Sequence, residues 1–384
     1  MSSAPPNATT RVYLDAGAVA PVRPEAVSAY LAALEDGWAD PRRLHHEGRR
    51  ARLVLDAARE AVAQCLAVHA DEVLFTTSHR EAVTAAVTGV AAASLHPGTV
   101  VHSAVETDAV IAAAALTPQG GTAVEVDRRG AVVPQALEEA LRRRPGASLA
   151  CVQSANGEVG TRQPLAAVAE VCRAHGVPLL VDAAAGIGHE PPPEHGDLLT
   201  GDARSWGSVP GVGLLVLRRG IRWVRTGPEH DGVERGPGEV SLPAVLAAAV
   251  TLQRATAELK DRDARLRPLV ERIRSAAAAV PDTEVVGDAV DRLPHVLTFS
   301  CLYVDGEVLV EELDTLGFAV GSGSACTSSS LRPSHVLAAM QVLTHGNVRM
   351  GLHQGVTEED VDRFSSVLAP AVARVRERLG VLGL

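Results

Sequence analysis

The chain has 384 residues, 46% of them hydrophobic and 21% charged, which is enough for two packed domains and excludes wholesale disorder. A net charge of −10 and an aromatic content of only 3% leave neither a basic face nor the base-stacking rings that nucleic-acid binding needs. The cores must be built of Ala, Val and Leu.

The first ten residues are polar and carry two prolines, without a basic stretch followed by an apolar one, so no targeting segment is expected there. Apolar runs at 73–76, 99–102, 148–153, 178–182 and 213–217 read as strands, and stretches such as 51–65 and 164–175 carry helical periodicity. The uncharged segment 82–105 contains His96, Pro97 and Gly98, so it reads as a buried helix followed by a strand, and no membrane span is expected. Alternation of this kind predicts a mainly parallel sheet with helices on both faces and a ligand site at the carboxyl ends of the strands. A long helical pattern over 243–279 precedes a region of different character. It has strands at 296–301, 317–320 and 347–351 and helices at 307–316 and 358–379. The expected division is a large α/β domain over 14–259 and a smaller α+β domain over 260–384, with 1–13 associated with the latter.

Five cysteines (Cys65, Cys151, Cys172, Cys301 and Cys326) form an odd set without a C-x-x-C pair, and four lie in apolar runs. They read as reduced core residues in a cytoplasmic protein. His45, His46 and Glu47 are adjacent, and neighbouring residues do not converge on one ion, so no metal site is expected. Of 36 basic residues one is a lysine, Lys260, in the helical stretch ELKDRD.

Several loops carry chemistry in a fixed order: VYLDAGAVAP at 12–21, DPRRLHHEG at 40–48, NGEVG at 156–160, VDAAAGIG at 181–188, GSGSACTSSSL at 321–331 and NVRMGL at 347–352. Together they resemble the cysteine desulfurases of iron–sulfur cluster assembly, over roughly residues 13–379. The resemblance implies the class V aminotransferase fold, a PLP-dependent transferase of type I. Such a fold has a seven-stranded, mainly parallel sheet in the large domain. It also implies a homodimer and pyridoxal phosphate (PLP) bound to a lysine. Cys326 on the mobile loop would accept sulfur as a persulfide, and the planar fork of Arg349 would hold the substrate carboxylate together with Asn156. Asp182 would meet the pyridine nitrogen of the cofactor.

The pattern breaks at the cofactor. The family's S-G-H-K-x-x-G-P-K-G-x-G segment corresponds to GDARSWGSVPGVG at 201–213, which puts Arg204 at the lysine position. A guanidinium stays protonated and cannot act as the Schiff-base amine. Gly201 and Ala203 replace the family's serine and histidine, and Asp202 adds a negative charge where a phosphate would lie. Arg80 replaces a phosphate-binding threonine while offering a charge of its own. Thr107 replaces the histidine that stacks on the ring, Ala185 replaces the glutamine on the ring oxygen, and Glu239 falls near a threonine supplied across the dimer. Each lost charge-assisted hydrogen bond is worth about 1.5–3 kcal/mol.

These residues predict a desulfurase-like protein without a PLP Schiff base, and with no cofactor at all in the limiting case. It would serve as a sulfur relay or a scaffold, using Cys326 toward a sulfur acceptor, an iron–sulfur scaffold protein or a second desulfurase. Cys326 as a cluster ligand is a variant of that reading. The alternative is an active cysteine desulfurase with noncovalently bound PLP and a substitute base, for which His79, His102 and His345 are available. A different enzyme built in the emptied cleft is the third possibility, although Arg80, Asp182, Asp202, Arg204 and Arg349 show no recognisable nucleophile–base spacing.

Overall fold

The computed structural model describes residues 11–17, 19–95, 98–226, 240–322 and 333–381. Two sheets organise them. The larger is built from β2 (Val73–Thr76), β3 (Val100–Ser103), β4 (Gly121–Val124), β5 (Leu149–Cys151), β6 (Leu179–Asp182), β7 (Leu198–Asp202) and β8 (Gly213–Leu217). Its strand order is β2-β8-β7-β6-β5-β3-β4, and every pairing is parallel except the two made by β8. This is the seven-stranded, mainly parallel sheet expected from the sequence.

The sheet is apolar on both faces because helices cover both. In β6, Leu179 and Val181 enter the core under one helical layer, while Leu180 enters the core under the other. The first layer draws on α2 (His46–Leu66), α5 (Pro134–Arg143), α6 (Leu165–His175) and α7 (Leu242–Ala257), with α1 (Pro24–Asp36) packed on α7. The second contains α3 (His79–Ala93) and α4 (Asp108–Ala115). Alanines at 82, 85, 86, 109, 113 and 114 let these two helices approach the strands closely.

The long pattern over 243–279 is two helices, not one. α7 stops at Ala257 and α8 (Leu259–Ala278) starts at once, with Glu258 between them at φ −94° and ψ 1°. Glu258 is held there by ion pairs with Arg23 and Arg254, a tertiary cause that periodicity does not register. β4, β7 and β9 (Thr283–Val286) were not foreseen either. β4 is half exposed, and β7 is interrupted by Thr200 and Gly201.

In the C-terminal part β9, β10 (Val296–Cys301) and β12 (Asn347–Gly351) form an antiparallel sheet with β10 central. α8, α9 (Gly306–Thr315) and α11 (Glu358–Arg378) close a separate core over it, and α10 (His335–Ala339) is a short helix nearby. β1 (Val12–Tyr13) pairs in parallel with β11 (Phe318–Ala319), so the N-terminal strand joins this part. α11 begins with a capping box in which Thr357 and Asp360 satisfy each other's backbone amides. No described helix is long and apolar enough to cross a membrane.

Candidate active site

The loops that leave the carboxyl ends of β3, β5, β6 and β7 converge with the start of α3. Ser78 caps α3 by accepting the amide of Glu81, which turns the chain sharply and directs His79 inward. Gly213 makes this turn possible: a Cβ there would lie 2.3 Å from the Ser78 carbonyl oxygen. Asp182 ends β6 and is 2% exposed.

Asp182 is surrounded by donors of the chain itself. Its Oδ1 is 2.8 Å from His79 Nε2, and it also accepts the amide of Ala184 at 3.1 Å and the hydroxyl of Thr200 at 3.2 Å. Its Oδ2 accepts the Thr107 hydroxyl at 3.0 Å. Burial pushes the Asp182 carboxyl up, but the charge and hydrogen bond of His79 outweigh it, and the pKa lies below the usual carboxylate range. Burial likewise pushes His79 down, yet Asp182, and more weakly Asp202, raise it above the usual histidine value. The two form a buried histidine–carboxylate pair in which each partner favours the other's charged form.

The neighbouring Glu106 is fully buried. Burial and the charge of Asp182 push its carboxyl well above the usual range. Cys151 lies in the same electrostatic environment, and burial together with Glu106 and Asp182 pushes its thiol well up. It is an inert core residue, as are Cys172 and Cys301, while Cys65 is half-buried.

Arg204 does not reach this pair. Its backbone amide and its guanidinium both bond Asp202, with Nη2 at 2.6 Å from Oδ2, in a closed loop at the end of β7. Arg80 is exposed on the first turn of α3. Ala185 packs against the small cluster of Ala155, Leu293 and Val296. Asn156 is buried and engaged in shaping its own turn. Its Nδ2 donates to the Val105 carbonyl, and its Oδ1 accepts the amides of Glu158 and Val159. Arg349 pairs with Asp15 at 3.1 Å across the junction of β12 and the N-terminal loop, and Gly321 lies close enough that a Cβ would meet both. Cys326, in the loop predicted to accept sulfur, and Glu239 lie outside the described residues. Lys260 is exposed on α8. His45 caps α2, with its Nδ1 accepting the Gly48 amide, and His45 and Glu47 form only a surface pair. No group of three or more metal-ligating side chains occurs among the described residues.

A profile of the family described as aminotransferase class-V matches residues 12–197 and 229–364. The chain is 32% identical over 379 residues to a cysteine desulfurase IscS of Dictyoglomus turgidum, covering 95% of each. The chain belongs to the cysteine desulfurase branch of the class V aminotransferases. A cysteine desulfurase of Cereibacter sphaeroides is 34% identical, over 95% of this chain and 97% of its own length. The solved structure of a NifS-like protein superposes with a TM-score of 0.85 at 25% identity, covering 97% of this chain and all of the other.

Asp182 and Arg349, expected from the sequence to meet cofactor and substrate, are each paired within the chain. The role of His79 was not foreseen in the sequence; it stood only as one of three candidate bases. Thr200 and the buried Glu106 were missed altogether, since neither breaks a motif.

Proposed function

We propose that this desulfurase-branch protein works without a PLP Schiff base, as a sulfur-relay or scaffold partner that uses Cys326. The observation that carries this reading is the His79–Asp182 pair. The carboxylate that would meet a pyridinium nitrogen already has His79 on one oxygen, and Thr107 takes the other. Arg204 and Asp202 neutralise each other where an amine and a phosphate ligand would be needed. The residues present therefore do not fit the cofactor.

In the relay reading the Cys326 thiolate attacks the terminal sulfur of a persulfide on a partner protein. The new S–S bond makes Cys326 a persulfide, and the partner cysteine leaves as its thiolate, so no outside oxidant or reductant is required. The test mixes purified protein with a persulfidated desulfurase and reads Cys326 by mass spectrometry. A gain of one sulfur on Cys326, lost in Cys326→Ser, is expected. Absence of any transfer would sink the relay.

Kinship favours a second reading, an active cysteine desulfurase with noncovalent PLP, because relatives of that name match along nearly the whole chain. In that case His79 would have to leave Asp182. Purified protein that turns yellow with PLP and releases sulfide from cysteine would establish this reading over the first.

A further inference from the structure

We propose that a cavity outside the Asp182 cleft is a binding site for a short-chain carboxylate. It lies between the N-terminal loop, the face of α8 and the segment after β12. Its volume is about 220 Å³, and Arg23, His189, Trp206, Arg262, Leu266 and Leu352 are among the residues that line it. None of His79, Thr107, Asp182 or Asp202 borders it.

Arg262 carries the argument. The residue is 4% exposed, and its Nη1 donates to the carbonyl of Gly188. Its Nε and Nη2, the parallel edge of the guanidinium, have no hydrogen-bond acceptor. A buried guanidinium with an open edge is costly, because desolvation is not repaid by hydrogen bonds. His189, also buried on the cavity wall, donates from Nε2 to the Ser205 carbonyl and has no partner at Nδ1.

The local charge is unbalanced. Glu258 is the nearest acid, 3.5 Å from Arg262 Nη2, but its Oε2 already accepts from Arg23 at 3.0 Å and Gln354 at 2.8 Å. Its other oxygen is 2.5 Å from Arg254. Glu25 adds a weaker contact, 3.9 Å from Arg254, so two carboxylates face three guanidiniums. A further carboxylate would match the two parallel N–H groups of Arg262 and restore neutrality. The walls beyond the cation are mostly apolar, with Trp206, Leu266 and Leu352 outweighing Ser205, His353 and Gln354, so they suit a short hydrocarbon tail better than a phosphate with oxygens on every side.

The probe is butyrate, titrated calorimetrically into the full chain, with inorganic phosphate and 1-butanol as comparisons. Butyrate is expected to bind saturably and to change the emission of Trp206 in a Trp38→Phe/Trp223→Phe background, where it is the remaining indole. Arg262→Met should abolish binding, and Arg262→Lys, which keeps the charge but not the parallel edge, should weaken it by about tenfold or more. Glu258→Gln removes the competing anion and should tighten it. No saturable heat with butyrate, an equal response to 1-butanol, tighter binding of phosphate, or unchanged affinity in Arg262→Lys would each overturn the proposal.

Discussion

Asp182 and Arg262 are both buried charges, exposed by 2% and 4%, but the chain treats them differently. Asp182 has His79 and three further donors within the fold, whereas Arg262 has one carbonyl and, 3.5 Å away, a shared carboxylate. On the proposed reading, a family residue can be kept without serving a ligand. A carboxylate satisfied from inside has no remaining need of a bound cation. An arginine edge left without an acceptor beside a cavity does have a need, although no family motif points to it.

The sharpest way to break the contrast is to make Asp182 resemble Arg262. His79→Leu leaves the carboxylate buried without its cation, and the expected loss at neutral pH is about 3–5 kcal/mol in urea unfolding. His79→Leu combined with Asp182→Asn removes both charges and should recover much of that loss. The pH dependence has a definite sign. The raised His79 contributes stability that is lost as pH rises through its folded pKa, above about 6.5. The depressed Asp182 contributes stability that is lost as pH falls through its folded pKa, below the usual carboxylate range. The difference between wild type and His79→Leu should be widest between those limits and narrow on either side. A variant as stable as wild type throughout would show that the pair contributes nothing.

A middle-sized effect concerns the other region. His189 stacks on His295 with ring centroids 3.7 Å apart, and both are buried. Burial, with the charge of Arg262, lowers His189 to about 3, and burial lowers His295 well below its ordinary value. The unfolded chain takes up protons on these rings near pH 6.5 and the folded chain does not, so stability falls as pH drops below that value. The slope is up to about 1.4 kcal/mol per pH unit for each ring. His189→Gln, which can still donate to the Ser205 carbonyl, should flatten the acid limb measured by thermal unfolding between pH 6.5 and 4. An unaltered limb would remove these rings as its source.

Much of the fold was legible because its strands are continuous apolar runs. β2, β8, β10 and β12 fall on their predicted residues, and β3, β5 and β6 within two or so of them. β7 was missed because Thr200 and Gly201 interrupt it, yet Thr200 points its hydroxyl at Asp182. The break between α7 and α8 was missed because its cause is an ion-pair cluster contributed from Arg23, more than 200 residues away. In the site, the residue types at 107, 182, 202 and 204 were readable from the loops, but their partners were not. Which donor reaches Asp182 depends on how Ser78 and Gly213 turn the chain into α3, and spacing along the sequence carries no record of that approach.

The smallest expected effect on stability bears most directly on the chemistry. Arg204 is half exposed and pairs with a residue two positions away, so Arg204→Ala should cost less than about 1 kcal/mol. Arg204→Lys restores a primary amine at the end of β7 with as little structural change. If the missing amine alone excludes the cofactor, this single substitution should yield visible absorption on addition of PLP. The His79–Asp182 pair leads to a different expectation: Arg204→Lys stays colourless, and colour appears only when His79→Ala is added to free the carboxylate. Colour in the single variant would show that His79 yields its place readily, and the distinction drawn between Asp182 and Arg262 would then fail on the Asp182 side.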